Sequence, residues 1–192
     1  MGSYYYLGAQ LPYLIYGQNP PMSSRDFLAL AREQMSSSDA ALLDYCTLDP
    51  APYQAGDTGP SYAEQGSSVK SALLDRWKEW ERTLRLNLAS NRAQKYKREG
   101  VSLADAPVIP ADAANAAKNA MAIESPLEAE IFLDNARWNA IESFQDLSVF
   151  SESSIYAYLL KLLLMERRAA FKTEEGFDEY KGLYAAILGE AK

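Results

Sequence analysis

Histidine does not occur anywhere in this 192-residue chain, and its absence is informative. Without an imidazole there can be no Ser-His-Asp or Cys-His catalytic arrangement, no imidazole zinc site and no di-iron site based on Glu-x-x-His. Cys46 is the only cysteine, so an internal disulfide and a cysteine metal cluster are also excluded. We therefore expect a protein that is not itself an enzyme and that carries no cofactor and no metal.

Long apolar runs and an excess of basic residues are lacking too. The most apolar stretch, Tyr156 to Met165, is interrupted by Lys161 and is too short to cross a bilayer. The N-terminus has no signal-peptide pattern, which predicts a cytoplasmic protein that would meet the inner membrane only through partners. A net charge of -7 argues against a general nucleic-acid binder.

Helical patterns occupy most of the sequence, and no segment has the character of a sheet strand. The longest pattern covers about residues 68–98, where Leu73, Trp77, Trp80, Leu84 and Leu88 recur at spacings of three and four. The sequence predicts an all-α fold, an elongated multi-helix bundle of helical hairpins with one helix of about thirty residues. We expect a single domain over residues 1–192; two sub-bundles, 1–105 and 106–192, bridged by the long helix, are the alternative.

Shorter helices are predicted around this long one from their capping residues. Their predicted starts are Ser23 or Ser24, Ser37 or Ser38, residue 111, Ser125, Ser151 or Ser153, and Thr173. Residues 47–66, rich in proline and glycine, predict a long loop. The tyrosine-rich residues 1–22 fit an extended arm and a short helix equally well, and a partner-binding role and a core role equally well.

Asp134 is a charged residue within an apolar helical stripe. The helix that begins after Ser125 and Pro126 places Asp134 on the same face as Leu127, Ile131, Trp138 and Ile141. An unpaired buried carboxylate would be very costly. Arg137, three residues further on, is placed to pair with it.

Glu166 is a second acid that the helical pattern places toward the core, in the helix that follows. Asp134 and Glu166, with Arg137 and Arg167 nearby, predict a shared structural ion-pair network that fixes the register of the helices. The alternative is a carboxylate pair that works with Glu130 in acid–base or divalent-metal chemistry. The missing histidines favour the structural interpretation.

Basic side chains are concentrated on the long helix. Residues 67–100 carry nine basic and four acidic side chains, a net charge of +5, in a chain that is acidic elsewhere. The basic face consists of Arg82, Arg85, Arg92 and Lys95, with Lys97 and Arg98 beyond it. It fits either internal pairing with acidic helices or a docking surface for an acidic partner protein, and no RNA-binding signature accompanies it.

Three stretches of the chain together resemble a known bacterial family. They are Tyr4 to Leu7 with Leu11 and Pro12, Pro126 to Trp138, and Leu159 to Arg168 followed by Phe171 and Gly176. The family is uncharacterised and is encoded beside V-type ATPase genes. It is similar to a divergent form of the socket protein in the central stalk of that ATPase, which is called C in bacteria and d in eukaryotes.

The stalk socket family is all-α and non-catalytic, and it connects the rotor shaft to the membrane proteolipid ring. The present chain is markedly shorter than the usual stalk socket protein, which has three repeats. The resemblance therefore implies an all-α fold for this chain and leaves open whether it forms a complete socket.

The resemblance also implies a non-catalytic subunit or assembly factor of a bacterial V/A-type ATPase. Its partners would be rotor or stalk proteins and the membrane proteolipid ring, with no nucleic acid and no membrane span of its own. Two hypotheses of other kinds stay open. One is a small, metal-dependent enzyme with a carboxylate site, and the other is an unrelated helical adaptor between proteins.

Overall fold

The computed structural model of the protein describes residues 4–48, 71–96, 109–146, 148 and 150–171. Within these residues the fold is all-α, as predicted, and no strand is present. In chain order the helices are α1 (Tyr5–Gln10), α2 (Ser24–Gln34), α3 (Ser37–Leu42) with a 3-10 turn at Leu43–Tyr45, α4 (Ala72–Lys95), α5 (Ala111–Ala120), α6 (Pro126–Phe144) and α7 (Glu152–Ala169).

Serine residues begin most of these helices. Each of five serine side chains accepts a hydrogen bond from the backbone N–H three residues further on, which satisfies one of the free donors of the first helical turn. These residues are Ser23, Ser36, Ser71, Ser125 and Ser151. The predicted caps of α2, α6 and α7 are confirmed at Ser23, Ser125 and Ser151, whereas α3 is capped one residue earlier than predicted.

Helix α4 is the longest of the described helices, and it has 24 residues rather than the predicted thirty or so. Its start lies later than predicted because Ser71 has an extended backbone and caps the helix with its side chain. At the other end Tyr96 leaves the helical conformation. The predicted apolar seam of α4 is confirmed, since Leu73, Trp77, Trp80, Leu84 and Leu88 are all buried.

Most consecutive helices pack against each other, as in a bundle of helical hairpins. Helix α4 contacts α5, α6 and α7, and α6 also contacts α5 and α7. Helix α2 packs on α7, and α1 packs on α2. The predicted boundary between two sub-bundles, at residues 105 and 106, lies outside the described residues, so that division stays a prediction.

The apolar stripe of α6 is buried from Asp134 onward. Trp138 and Ile141 are buried together with Asp134, whereas Leu127 in the first turn is exposed. Leu127 was predicted to face the core. The first turn of α6 therefore extends beyond the helices that cover the rest of the stripe.

Residues 4–17, the N-terminal segment, begin as a short helix and continue as an extended chain that follows α7. The backbone N–H of Tyr4 donates to the carbonyl of Phe150, just before α7 begins, at 2.7 Å. The Tyr158 hydroxyl, in the first half of α7, donates to the Pro12 carbonyl at 3.0 Å. At the end of α7, the Arg168 guanidinium lies 4.9 Å from the centre of the Tyr16 ring. Helix and extended arm are thus both present, and the segment runs the length of α7.

Two predictions fall wholly or mainly on residues outside the described part of the chain. They are the loop at 47–66, of which only the first two residues are described, and the last helix from Thr173 onward. Among the helices that the structure describes, none is long and apolar enough to cross a membrane.

Candidate functional site

Six charged side chains from three helices form one connected group of ion pairs, of which Glu81, Asp134 and Arg137 are buried and the other three are partly exposed. Helix α4 contributes Glu81 and Arg85, α6 contributes Glu130, Asp134 and Arg137, and α7 contributes Arg167. We call these six residues the charge cluster. Three carboxylates and three guanidinium groups give it a formal charge of zero, which is what an interior can hold at least cost.

Arg137 lies at the centre of the charge cluster and joins α6 to α4. Its Nε donates to Glu81 Oε2 at 3.0 Å and its Nη2 donates to Glu81 Oε1 at 3.1 Å, so the pairing is bidentate. Arg85 donates from Nε to the same Oε1 atom at 2.7 Å. Both oxygens of Glu81 are therefore engaged, and the planar guanidinium of Arg137 fixes their direction.

Asp134 extends the charge cluster from α6 to α7. Its Oδ1 accepts from Arg137 Nη1 at 3.2 Å and also from Arg167 Nη2. Arg167 Nη2 in turn lies 3.6 Å from Glu130 Oε2. Since Asp134 is only 1% exposed and Arg137 only 4%, the contact between them is almost fully shielded from water, whereas the pair of Arg167 and Glu130 is partly exposed.

Burial dominates the electrostatics of Asp134. Removal of water raises the pKa of its carboxyl group, and the nearby Arg167 and Arg137 offset only part of that rise. Its Oδ2 atom is buried without a hydrogen-bond partner among the described residues. For Arg137, burial lowers the pKa, but Glu81 and Asp134 outweigh burial, so the pKa is raised and the guanidinium stays charged.

The structure brings together three of the four residues predicted for the ion-pair network. Asp134, Arg137 and Arg167 are in contact as predicted. Glu166 instead accepts a hydrogen bond at 2.6 Å from the backbone N–H of Ser24, the first residue of α2. Neighbouring residues point about 100° apart on a helix. When α7 is rotated about its axis so that Arg167 faces α6, Glu166 therefore faces α2. There the negative charge of Glu166 also interacts favourably with the positive end of the α2 dipole.

Glu81 is the central acid that was not predicted from the sequence. It was counted among the charges of a basic helix, although a positional signal was available. Glu81 lies four residues after Trp77 and three before Leu84, which places it within the apolar seam of α4. The same reasoning that identified Asp134, an acid among core-facing residues, would have identified Glu81.

The predicted basic docking face is divided in the structure. Arg82, Arg92 and Lys95 are exposed on α4. Arg85 is half-buried and contacts Glu81 and, through its Nη2 at 2.7 Å, the Leu48 carbonyl. Arg85 therefore serves the charge cluster, and Lys97 and Arg98 lie outside the described residues. An acidic partner could still meet the three exposed cations.

The chemistry open to the charge cluster is limited by its own pairing. The Glu81 carboxylate and Asp134 Oδ1 are already bound by arginines, and arginine does not give up its proton near neutral pH. In the part of the chain that the structure describes, no group of three or more carboxylate or thiol side chains is arranged to hold a metal ion. The arrangement is suited to holding α4, α6 and α7 in a fixed register.

No family model matches this chain, and neither a curated protein nor a solved structure matches it.

Proposed function

We propose that this protein is a non-catalytic helical component that works by binding other proteins in a bacterial V/A-type ATPase complex. It would be a coupling or assembly piece between the central shaft and the membrane proteolipid ring, on the cytoplasmic side of the inner membrane. The charge cluster is the observation that supports a mechanical role. The ATPase assignment rests on the resemblance of three stretches, 4–12, 126–138 and 159–176.

The charge cluster supports a mechanical role because it opposes sliding of the helices. Moving α6 by one turn, about 5.4 Å, would separate Arg137 from Glu81. The bidentate pairing of two buried side chains would be lost, which would leave Arg137 with Asp134 and Glu81 with Arg85, the partners on their own helices. A buried charge that loses part of its pairing is destabilised. A bundle that transmits force between two partners needs this resistance. An apolar interface opposes sliding less, because its contacts depend less on the exact position of each side chain.

Copurification tests this proposal. The tagged full chain, expressed in a bacterium that has a V/A-type ATPase, is expected to bring down rotor or stalk proteins. Because Arg92 is an exposed cation of the docking face, Arg92→Glu should reduce the yield of those proteins. The matched control is Arg25→Glu, the same charge reversal at an exposed position on α2.

The outcomes separate the two parts of the proposal. If other proteins bind reproducibly but no ATPase proteins are found in the purified sample, the ATPase assignment is wrong and the chain is a helical adaptor. A chain that binds no protein specifically would contradict the binding role as a whole. Equal yields from Arg92→Glu and Arg25→Glu would show that the docking surface does not include Arg92 on α4.

One observation favours the enzyme hypothesis as a second candidate. A carboxylic acid whose pKa is raised by burial, as that of Asp134 is, occurs often at active sites. Against it, Asp134 is 1% exposed and contacts two arginines, and Glu166 has a separate hydrogen-bond partner on α2. Elemental analysis of the purified protein tests this candidate, since a stoichiometric divalent metal that is lost in Asp134→Asn would favour it.

A further inference from the structure

The middle of the N-terminal segment presents apolar side chains to solvent. Tyr13 is 86% exposed and Ile15 is 45% exposed, while Leu14 between them is buried. Side chains of an extended chain alternate between two sides, so Tyr13 and Ile15 lie together on the outer side while Leu14 packs inward. We call these two residues the outer pair. An aromatic and a branched aliphatic side chain together form a surface that gains from being covered.

The end of α7 lies beside Tyr16 and Gly17, which follow the outer pair in the chain. The Arg168 guanidinium contacts the Tyr16 ring, and its Nη2 lies 3.9 Å from the position that a Cβ atom on Gly17 would take. Phe171 follows three residues after Arg168 and is itself 40% exposed. The described part of the chain therefore ends at an apolar residue, three positions after the arginine that contacts Tyr16.

The residues that follow Phe171 have an apolar sequence pattern that would suit the outer pair. Residues 172–192 lie outside the described part of the chain, and Gly176 within them is suited to a turn. After it, apolar residues recur at helical spacing, which predicts a single apolar face; they are Phe177, Tyr180, Leu183, Tyr184 and Ile187. As a helix, a 21-residue segment would span about 32 Å. The distance back along α7 from Arg168 to Tyr158, which holds Pro12, is only about 15 Å.

We propose that the C-terminal segment, residues 172–192, docks through this apolar face on the outer pair. The same chain is favoured over a second copy or a separate protein because the segment begins four residues after Arg168, which contacts Tyr16 next to the outer pair, and because its length exceeds the distance back along α7. A short connection of this kind gives an effective concentration in the millimolar range, which a free partner rarely reaches. The inference does not depend on the proposed function.

Nitration by tetranitromethane, with the modified residues identified by mass spectrometry, tests this docking. In the full chain Tyr13 should react at least about tenfold more slowly than Tyr96, which is comparably exposed at the end of α4. Tenfold protection corresponds to about 1.4 kcal/mol of docking free energy. The double variant Leu183→Asp/Ile187→Asp should restore the reactivity of Tyr13.

The matched control is Ala185→Asp/Ala186→Asp, which adds the same charge to the opposite face of the same segment. Tyr13 should stay protected in this control. Tyr156, which is fully buried, should remain unreactive in every variant, and this shows that the bundle is intact. Equal reactivity of Tyr13 and Tyr96 in the full chain would overturn the proposal, as would protection that disappears on dilution, because dilution removes contact with a second copy and not contact within one chain.

Discussion

Helix α4 contacts its neighbours through two interfaces of opposite character. Toward α6 and α7 it presents Glu81 and Arg85 to the charge cluster. Toward α5 it packs on a helix whose buried residues are all alanines, and we call these residues the alanine interface: Ala113, Ala116, Ala117 and Ala120. Alanine side chains allow two helices to approach closely, but the strength of their contacts depends little on the relative orientation of the helices. Ion pairs with fixed geometry depend on direction above all.

This difference shows that close packing and a defined register come from different residues. Alanines spaced three and four apart are nearly interchangeable, so a shift of α5 by one turn would replace one alanine by another. The register of the alanine interface rests on hydrogen bonds near the start of α5. Trp80 Nε1 donates to Asp112 at 2.7 Å, and the Thr83 hydroxyl donates to the Ile109 carbonyl at 3.2 Å.

The largest effect is expected from Arg137→Ala, which removes the centre of the charge cluster. Glu81 and Asp134 would be left buried without their shared partner, and the free energy of unfolding should fall by about 3–5 kcal/mol. Denaturant titration measures this. Arg32→Ala is the control, because it breaks the exposed pair with Asp44 and should cost at most about 1 kcal/mol. Similar costs for both variants would show that the charge cluster adds no more than a surface pair.

An overpacking variant probes the alanine interface. Ala117 is fully buried, so the larger side chain in Ala117→Leu should push α5 away from the helices on which it packs and lower the free energy of unfolding by about 1–3 kcal/mol. Thermal unfolding of this variant is compared with that of Asn115→Leu, which places the same side chain on the exposed side of α5. If Ala117→Leu were as stable as its control, the alanine interface would not be close-packed.

A smaller effect is expected where a hydrogen bond sets the register of α5. Asp112→Ala leaves the indole N–H of the buried Trp80 without its acceptor, at a cost of about 1–2 kcal/mol. Asn119→Ala, at an exposed position on the same helix, should change stability by less than about 0.5 kcal/mol. The test is urea unfolding followed by tryptophan fluorescence. An unchanged midpoint for Asp112→Ala would mean that the alanines alone hold α5 in place.

The smallest effect is a pH dependence that belongs to the charge cluster. Because burial raises the pKa of Asp134 in the folded state, the folded protein keeps a proton that the unfolded chain has already lost above about pH 4. The free energy of unfolding should therefore fall as the pH rises from the ordinary aspartate range to the raised pKa. Asp134→Asn should lack this part of the pH dependence, so the wild type should lose stability relative to it.

Unfolding curves at a series of pH values, analysed as the difference between wild type and Asp134→Asn, measure this effect. A difference that grows in the opposite direction would mean that Arg137 and Arg167 together lower the pKa of Asp134. The alanine interface offers the internal comparison. Ala117→Leu removes no titratable group, so its cost should be the same at every pH.

Much of the secondary structure could be predicted because its causes are local. Ser125, Pro126 and the apolar spacing that follows were sufficient to place α6, and Ser151 was sufficient for α7. The start of α4 was misplaced because Ser68 and Ser71 are similar capping residues in sequence. The burial of Trp77 and Trp80 followed from their spacing alone.

The candidate site could be predicted only in part. Asp134 and Arg137 lie three residues apart on one helix, so their contact is encoded locally. Whether Glu166 or Arg167 faces Asp134 depends on how α7 is rotated about its own axis within the bundle. A pattern of buried positions along one helix does not fix that angle to within one residue.

The sequence by itself determined where most of the described helices begin, which faces are apolar and that Asp134 would need Arg137. These features depend on residues within a turn or two of each other. Only the tertiary structure decided that Glu81, 56 positions away in the chain, is the main partner of Arg137, and that Arg167 rather than Glu166 completes the charge cluster. The reason is that contacts between helices depend on their relative rotation and depth. Packing of the whole core sets both, and no short stretch of sequence encodes either.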